Sequence, residues 1–126
     1  MIRGIGVDII EIARIRKSVE ESGDTFLRKV FTQVELEYCA SKPDRYQHLA
    51  ARFAAKEAVS KALATGWAGD FQWKDVEVMN DVSGQPQVTL HGKLKEQLAS
   101  RSVFLSLSHS DNHVVAMALI EEGSPC

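Results

Sequence analysis

Residues 45–64, RYQHLAARFAAKEAVSKALA, decide the fold of this chain. The stretch is rich in alanine and contains neither glycine nor proline, so intrinsic propensity strongly favours a helix along its whole length. Thr65 and Gly66 follow it and end the pattern. Because alanine side chains are short, another element can pack very close to this helix.

A first strand is predicted over residues 2–10. Gly4 and Gly6 alternate there with Ile5 and Val7. Glycine weakens a strand interior unless another backbone must approach it closely. The two glycines are therefore compatible with a strand only where its backbone must approach something closely.

Two helical segments are predicted between this strand and the central helix. Apolar residues at helical spacing from Ile12 predict a helix that stops at Gly23, and a short helical turn follows over residues 24–31. Thr32 and Glu35 then have the spacing of a capping box, which predicts a helix running to about residue 41.

The second half of the chain alternates apolar and polar residues as strands do. Strands are predicted over 75–79, 86–91, 102–108 and 113–121, with a short helix over 92–100. This order is typical of an α+β domain, with helices packed on one face of a mainly antiparallel sheet. The whole chain, 1–126, is predicted to form a single domain.

The bulk composition excludes some classes of protein. The formal net charge is -2 and the pI is about 6.1, whereas nucleic-acid-binding domains are usually clearly basic. We find neither a signal peptide nor the roughly 18 consecutive apolar residues of a membrane-spanning helix, so a cytoplasmic location is expected. Cys39 and Cys126 lack metal-binding spacing and are expected to be free thiols in a reducing compartment.

Asp8 interrupts the apolar N-terminal strand. Burying a carboxylate costs free energy unless the group is paired or binds a cation. Two interpretations stay open from the residues alone: Asp8 caps the helix that follows the strand, or Asp8 binds a cation.

Glu57 and Lys61 lie four residues apart in the alanine-rich helix and therefore share one of its faces. Arg52 and Lys56 share a different face. Routine surface ion pairs would explain such charges, yet the surrounding alanines imply close packing over much of the helix. A carboxylate and a lysine presented together could instead bind a magnesium ion and a phosphate.

Ser106, Ser108 and His109 lie where a predicted strand enters a turn. His109 could contact a phosphate or a base there, or it could be an ordinary turn residue. A Ser/His nucleophilic pair is not favoured, because nothing in the sequence marks a nucleophile elbow or an oxyanion hole.

Several stretches, taken together and in order, resemble one protein family over nearly the whole chain. They are Gly6-Val-Asp8 with Glu11 and Arg14, Thr32 with Glu35 and Tyr38, the helix from Arg52 to Lys61, Gly84-Gln-Pro86, and Ser106-Leu-Ser108-His109-Ser110. The sequence thus resembles the holo-acyl-carrier-protein synthases, the small bacterial 4'-phosphopantetheinyl transferases. The resemblance implies their fold, and transfer of 4'-phosphopantetheine from coenzyme A to a serine of apo-acyl carrier protein in fatty acid biosynthesis.

The resemblance also implies chemical roles for three residues. Asp8 and Glu57 would hold Mg²⁺, and Lys61 would lie by the pyrophosphate of coenzyme A. Phosphoryl transfer depends mainly on positioning and charge stabilisation. Glu57, directly or through a water molecule, is also expected to take the proton of the carrier serine, a role for which His109 is the poorer candidate.

The nucleotide end of coenzyme A, including its 3'-phosphate, would contact Arg52 and His109 in this resemblance. Thr65 and Gly66 would lie in the loop beside the phosphates. Ala64 departs from the pattern, because the family often has glycine there, and this could alter that loop.

Partners are implied in the same way. Arg14, with Arg28 as a second candidate, would dock the acidic acyl carrier protein. The family works as a homotrimer with active sites at subunit interfaces.

Three other interpretations remain open at this point. A metal-dependent nuclease could use Asp8, Glu57 and Lys61, although the acidic pI argues against it. A non-catalytic module that binds coenzyme A or an acyl carrier would not need those three residues together. A purely structural trimer leaves Asp8 unexplained.

Overall fold

The computed structural model describes residues 1–63 and 71–123. Within these residues, five strands and four helices follow one another, with a short 3-10 turn over Trp73–Asp75. In chain order they are β1 (Ile2–Glu11), α1 (Ile12–Val30), α2 (Gln33–Ala40), α3 (Arg45–Ala62), β2 (Val76–Asn80), β3 (Pro86–Leu90), α4 (Gly92–Gln97), β4 (Arg101–His109) and β5 (His113–Glu122).

The strands form two antiparallel sheets instead of the one that was predicted. One sheet has three strands in the order β1-β5-β4, so that the first strand pairs with the last, and the other is the β2-β3 hairpin. In the larger sheet Val7 lies opposite Met117, which in turn lies opposite Ser106. The α+β class is confirmed.

Helix α3 packs on the inner face of the larger sheet at a distance that only glycine permits. A Cβ atom added to Gly4 would stand 1.8 Å from the carbonyl oxygen of Ala62, and one added to Gly6 would stand 2.1 Å from that of Ala58. These are backbone atoms, so they cannot turn aside. The close approach that the sequence indicated is therefore between β1 and α3, which run in opposite directions.

Helix α1 continues through the glycine at which it was predicted to stop. Gly23 has φ 50° and ψ -128°, which breaks the helix, but helical geometry resumes at once and runs on to Val30. The predicted helical turn over 24–31 is thus the second half of α1. The capping box of Thr32 and Glu35 at the start of α2 is confirmed, with the Thr32 hydroxyl accepting from the Glu35 backbone N–H.

The outer face of the larger sheet is apolar and uncovered. Ile5, Val7 and Ile9 on β1 are 63%, 57% and 64% exposed. Phe104 on β4 and Met117 on β5 continue this surface. Alternation along β1 therefore gives one face that packs on α3 and one face made of aliphatic side chains without cover in the single chain.

Cys39 is a free thiol in the core, where burial raises its pKa to about 11. Cys126 lies outside the described residues. Within residues 1–63 and 71–123, we find no helix that is both long enough and apolar enough to cross a membrane.

Candidate active site

Asp8 and Lys61 meet at the edge of the β1–α3 contact. The Lys61 ammonium lies 3.1 Å from Asp8 Oδ1 and also donates to the Val7 carbonyl oxygen at 3.0 Å. The Asp8 side chain is only 16% exposed, whereas that of Lys61 is 53% exposed. Helix α1 has Glu11 as its N-cap, three residues after Asp8, so the interpretation of Asp8 as a helix cap is wrong.

Glu57 lies on the same side of α3 as Lys61, one turn earlier, and is half-buried. Gly6 faces Ala58, and Asp8 is two residues further along the same face of β1, a rise of about 6.6 Å. That step brings Asp8 alongside the turn of α3 that carries Glu57. The structure thus places a partly buried carboxylate on the strand next to a carboxylate and a lysine on the helix.

This donor set is compatible with magnesium but would not hold it alone. In the described part of the chain no group of three or more His, Cys, Asp or Glu side chains could bind a metal ion. Magnesium commonly takes one or two carboxylates and completes its shell with waters and substrate phosphates. Asp8 and Glu57 fit that pattern.

A buried ion pair, which the sequence did not reveal, lies directly behind the site. Lys56 and Glu35 are both fully buried, with Lys56 Nζ 2.9 Å from Glu35 Oε1. Burial lowers the pKa of Lys56, and the charge of Glu35 opposes that shift. The signal was present: a lysine surrounded by alanines in a helix packed on several sides must have a buried partner.

The same pair is hydrogen-bonded to four backbone groups. Lys56 also donates to the carbonyl oxygens of Trp73, at 3.0 Å, and Val76. Glu35 accepts from the backbone N–H of Thr32 and from that of Val78, both at 2.8 Å. The pair therefore joins α2, α3 and β2.

Arg52 lies in the interior, one turn before Lys56. It is 2% exposed, donates to Asn80 Oδ1 at 2.8 Å, and stacks over the ring of Tyr38 at 4.2 Å. Its Nε has no hydrogen-bond partner among the described residues. The face shared by Arg52 and Lys56 is therefore a core face, and the interpretation of these charges as solvated ion pairs is wrong.

A row of aromatic rings begins one turn before Glu57 on α3. Phe53 stacks on Trp73 with ring centroids 5.1 Å apart and also contacts Phe26 of α1 at 6.3 Å. All three side chains are partly exposed. The wall beside the carboxylates is thus apolar on the side of α1.

His109 lies apart from Asp8 within one chain. Ile10 is opposite Val114, which is opposite His109, so two strand spacings, about 10 Å, separate β1 from this histidine. His109 is exposed and lines a shallow cleft of about 350 Å³ together with Ile9 and His113. Thr65, Gly66 and Ala64 lie outside the described residues.

The two arginines predicted to dock a carrier are both exposed on α1. Arg14 precedes the break at Gly23 and Arg28 follows it. Arg28 lines a groove of about 290 Å³ between α1, α2 and the start of α3, and Arg45 lines the same groove. The basic residues of α1 are thus presented on two helical segments.

Comparison with known proteins places the chain among enzymes. The family model of the 4'-phosphopantetheinyl transferase superfamily matches residues 4–118. The holo-[acyl-carrier-protein] synthase of Geotalea daltonii is 47% identical over 125 residues, covering 97% of this chain and 100% of that protein. The chain therefore belongs to the holo-[acyl-carrier-protein] synthase family of 4'-phosphopantetheinyl transferases.

Solved structures agree with this assignment. The holo-[acyl-carrier-protein] synthase of Neisseria meningitidis superposes with a TM-score of 0.88 at 32% identity, covering 97% of this chain and 100% of that one. The Helicobacter pylori enzyme, solved in complex with coenzyme A, superposes with a TM-score of 0.83 at 30% identity and covers 93% and 99%.

Proposed function

We propose that this chain transfers 4'-phosphopantetheine from coenzyme A to a serine of apo-acyl carrier protein, releasing adenosine 3',5'-bisphosphate, in fatty acid biosynthesis. The contact between Asp8 and Lys61 beside Glu57 is the observation that carries the proposal, because it joins the charged residues by which the chain resembles this family. We place the reaction in the cytoplasm, and the free Cys39 thiol is compatible with a reducing compartment.

Magnesium is the proposed metal, with Asp8 and Glu57 as its protein ligands. When bound, it would supply positive charge against the pyrophosphate of coenzyme A. Lys61 adds a second positive charge at the same place, and its ammonium already lies 3.1 Å from Asp8. Its exposed side chain leaves it accessible to the phosphate that becomes the leaving group.

Glu57 is also the proposed base for the carrier serine. It is half-buried on a helix beside an apolar wall that includes Phe53, and exclusion of water strengthens the electrostatic interactions of such a carboxylate. The proton passes from the serine hydroxyl to Glu57, directly or through a water molecule, as the oxygen attacks the β-phosphorus.

Replacing Glu57 with Gln should abolish transfer at saturating magnesium, because the amide neither takes the proton nor binds the ion as a carboxylate does. Intact-protein mass spectrometry of the apo carrier after incubation with coenzyme A measures this, since modification adds one phosphopantetheine group. Glu96→Gln, on exposed α4 surface, is the matched control and should act as the wild type does. Near-normal turnover by Glu57→Gln would show that Glu57 is neither an essential magnesium ligand nor the general base.

The nucleotide of coenzyme A is proposed to contact Thr65, Gly66, His109 and Arg52. His109 is exposed and open to such a ligand. Arg52 keeps one donor, Nε, without a partner among the described residues, but the side chain is only 2% exposed, so a ligand would reach it only after neighbouring groups move. Of these two residues, His109 is therefore the more accessible to the nucleotide.

The carrier is proposed to dock on α1 through Arg14, with Arg28 as a second contact. Both side chains are exposed, and charge pairing with an acidic helix would act mainly on the association rate. Arg14→Glu should raise the KM for the carrier at least about tenfold at low salt, by analogy with like-charge penalties at interfaces, and leave kcat nearly unchanged. Steady-state kinetics with Lys95→Glu, on α4, as the charge-matched control would check this; equal KM values for the two variants contradict it.

A homotrimer is the proposed assembly, with active sites at subunit interfaces. The uncovered aliphatic face of β1 and the neighbouring Phe104 and Met117 form a patch of the kind that marks protein interfaces. His109 lies at one end of this face, about two strands away from Asp8 in its own chain. In the proposed trimer, the histidine of one subunit contributes to the active site of another.

A further inference from the structure

Two charged stripes run along α3, one residue out of phase with each other. Arg52 and Lys56 form the first stripe, which is buried towards β2. Glu57 and Lys61 form the second, which meets Asp8 on β1. Because the stripes belong to one rigid helix, any rotation of α3 about its axis moves both of them by the same angle.

The contact between α3 and β1 offers little to oppose such a rotation. The close backbone approach is made by Gly4 and Gly6 on the strand and by the turns around Ala58 and Ala62 on the helix. The directional bonds across it come from Lys61, whose half-exposed side chain binds Asp8 and the Val7 carbonyl oxygen. Helices usually find their orientation by fitting ridges of side chains into grooves. Glycine and alanine provide neither deep grooves nor long ridges, so this contact fixes the distance between α3 and β1 far better than it fixes the rotation.

The buried stripe does oppose rotation, because its hydrogen bonds are directional. All three N–H bonds of the Lys56 ammonium have acceptors: the Glu35 carboxylate and the carbonyl oxygens of Trp73 and Val76. Glu35 is itself held from two sides, by the backbone N–H groups of Thr32 and Val78. Lys56 can therefore occupy this place in only one orientation of α3.

We propose that Lys56, together with Glu35, is a positioning pair for the transfer reaction: it sets the rotation of α3 and thereby the direction in which Glu57 faces Asp8. This inference rests on the proposed function, since it assigns a purpose to the orientation of Glu57. Lys56 touches neither substrate nor metal in this proposal and acts only through Glu57 and Lys61.

The test separates positioning from ordinary stabilisation by comparing a single with a double variant. Lys56→Met leaves Glu35 as an uncompensated buried charge and should unfold at a lower temperature than the wild type. Lys56→Met/Glu35→Gln removes that charge and should recover most of the lost thermal stability. Both lack the three directional bonds of the ammonium.

The kcat values of the two variants then distinguish positioning from stabilisation. Each enzyme is assayed for carrier modification well below its own unfolding midpoint, with Lys95→Met as the control. Positioning predicts that kcat falls about 100-fold in both variants, the loss typical of a catalytic group displaced by about 1 Å, while the KM for the carrier changes less than about threefold. A kcat that recovers together with the melting temperature in the double variant overturns the proposal.

The experiment remains informative if a variant does not fold or if the wild type is inactive. If Lys56→Met does not fold, the double variant alone is compared with the wild type. If neither folds, Glu35→Gln, which weakens the hold on the Lys56 ammonium, takes its place. In either case a kcat within about threefold of the wild-type value overturns the proposal. A wild-type chain that fails to modify any carrier would instead refute the proposed function, a result distinguishable from loss of activity in the variants alone.

Discussion

Glu77 lies on β2 with only 8% of its surface exposed and with two polar side chains against it. The Thr32 hydroxyl donates to one carboxylate oxygen at 2.5 Å, and the His91 ring lies 3.1 Å from the other. Burial alone would raise the pKa of Glu77, but the hydrogen bonds from Thr32 and His91, with the charges of His91 and Lys56, outweigh it and lower the pKa. Glu77 thus extends the polar network of Lys56 towards β3.

The lowered pKa predicts how stability depends on acid. A carboxylate with a folded pKa below its ordinary value of 4.5 contributes stability that is complete above that value and is lost as the pH falls through the folded pKa. Glu77→Gln should therefore lower the free energy of unfolding by about 1 to 3 kcal/mol at neutral pH and flatten its decline below pH 4.5. Urea titrations across the pH range measure this, with the exposed Glu20→Gln as control; parallel curves for Glu77→Gln and the wild type would contradict it.

Among single residues, the sequence predicted those whose role depends on spacing along one element. Glu57 and Lys61 share a helix face, and Asp8 stands out in an apolar strand, so these could be named before the fold was known. Lys56 and Glu35 could not be paired in the same way, because the pair joins two helices, and nothing in either helix specifies which buried cation meets which carboxylate.

At the scale of the elements, the distance between α3 and β1 is tightly constrained. Gly6→Ala would place a methyl group 2.1 Å from the Ala58 carbonyl oxygen and 2.7 Å from the Ala62 nitrogen. Either α3 moves away from β1 or β1 bends, and such overpacking typically costs about 1–3 kcal/mol. Chemical denaturation should show a loss of that size.

Gly123→Ala is the matched control, because its added methyl group would stand 3.1 Å from the Ser100 carbonyl oxygen and needs only a small adjustment. Transfer activity adds a second measurement: Gly6→Ala should also lower kcat, since Asp8 follows two residues later on the same strand. A Gly6→Ala enzyme as stable as Gly123→Ala would show that the β1–α3 contact is looser than described.

The elements themselves were largely predictable, since periodicity and capping are local properties. The Thr32–Glu35 box and the alternating strands fall where the pattern predicted. Gly23 was misjudged as the end of a helix because glycine with a positive φ usually terminates one. Here Leu27 and Val30, beyond the break, are buried in the core, and that tertiary packing restores the helix.

At the scale of the whole molecule, the outer face of the larger sheet should control assembly. Val7→Glu would place a charge in the middle of that face, opposite Met117, where desolvation opposes association. Sedimentation velocity should show the wild type as a trimer and Val7→Glu as a monomer. If each active site uses residues from two subunits, the monomeric Val7→Glu protein should also have a lower activity per chain than the wild type.

The hairpin tip supplies the control for this experiment. Val82 is fully exposed there, away from the sheet face, so Val82→Glu adds the same charge and should leave the sedimentation coefficient unchanged. A Val7→Glu protein that sediments like Val82→Glu would rule out this face as the interface.

The pairing of strands was the part of the architecture that the sequence left open. Alternation predicts which residues share a face, but not which strand lies beside which. The first strand pairs with the last because α3 covers the inner faces of both, and the β2-β3 hairpin stands separately. That division into two sheets depends on contacts far apart in the chain.

The buried pair of Lys56 and Glu35 has a consequence for warm and cold environments. Hydration of charged groups becomes less favourable as temperature rises, so the free-energy cost of keeping an ammonium and a carboxylate out of water diminishes on heating. The net contribution of the pair to stability therefore becomes more favourable as the temperature rises. The pair thus gains in relative importance at temperatures where stabilisation by apolar burial no longer increases.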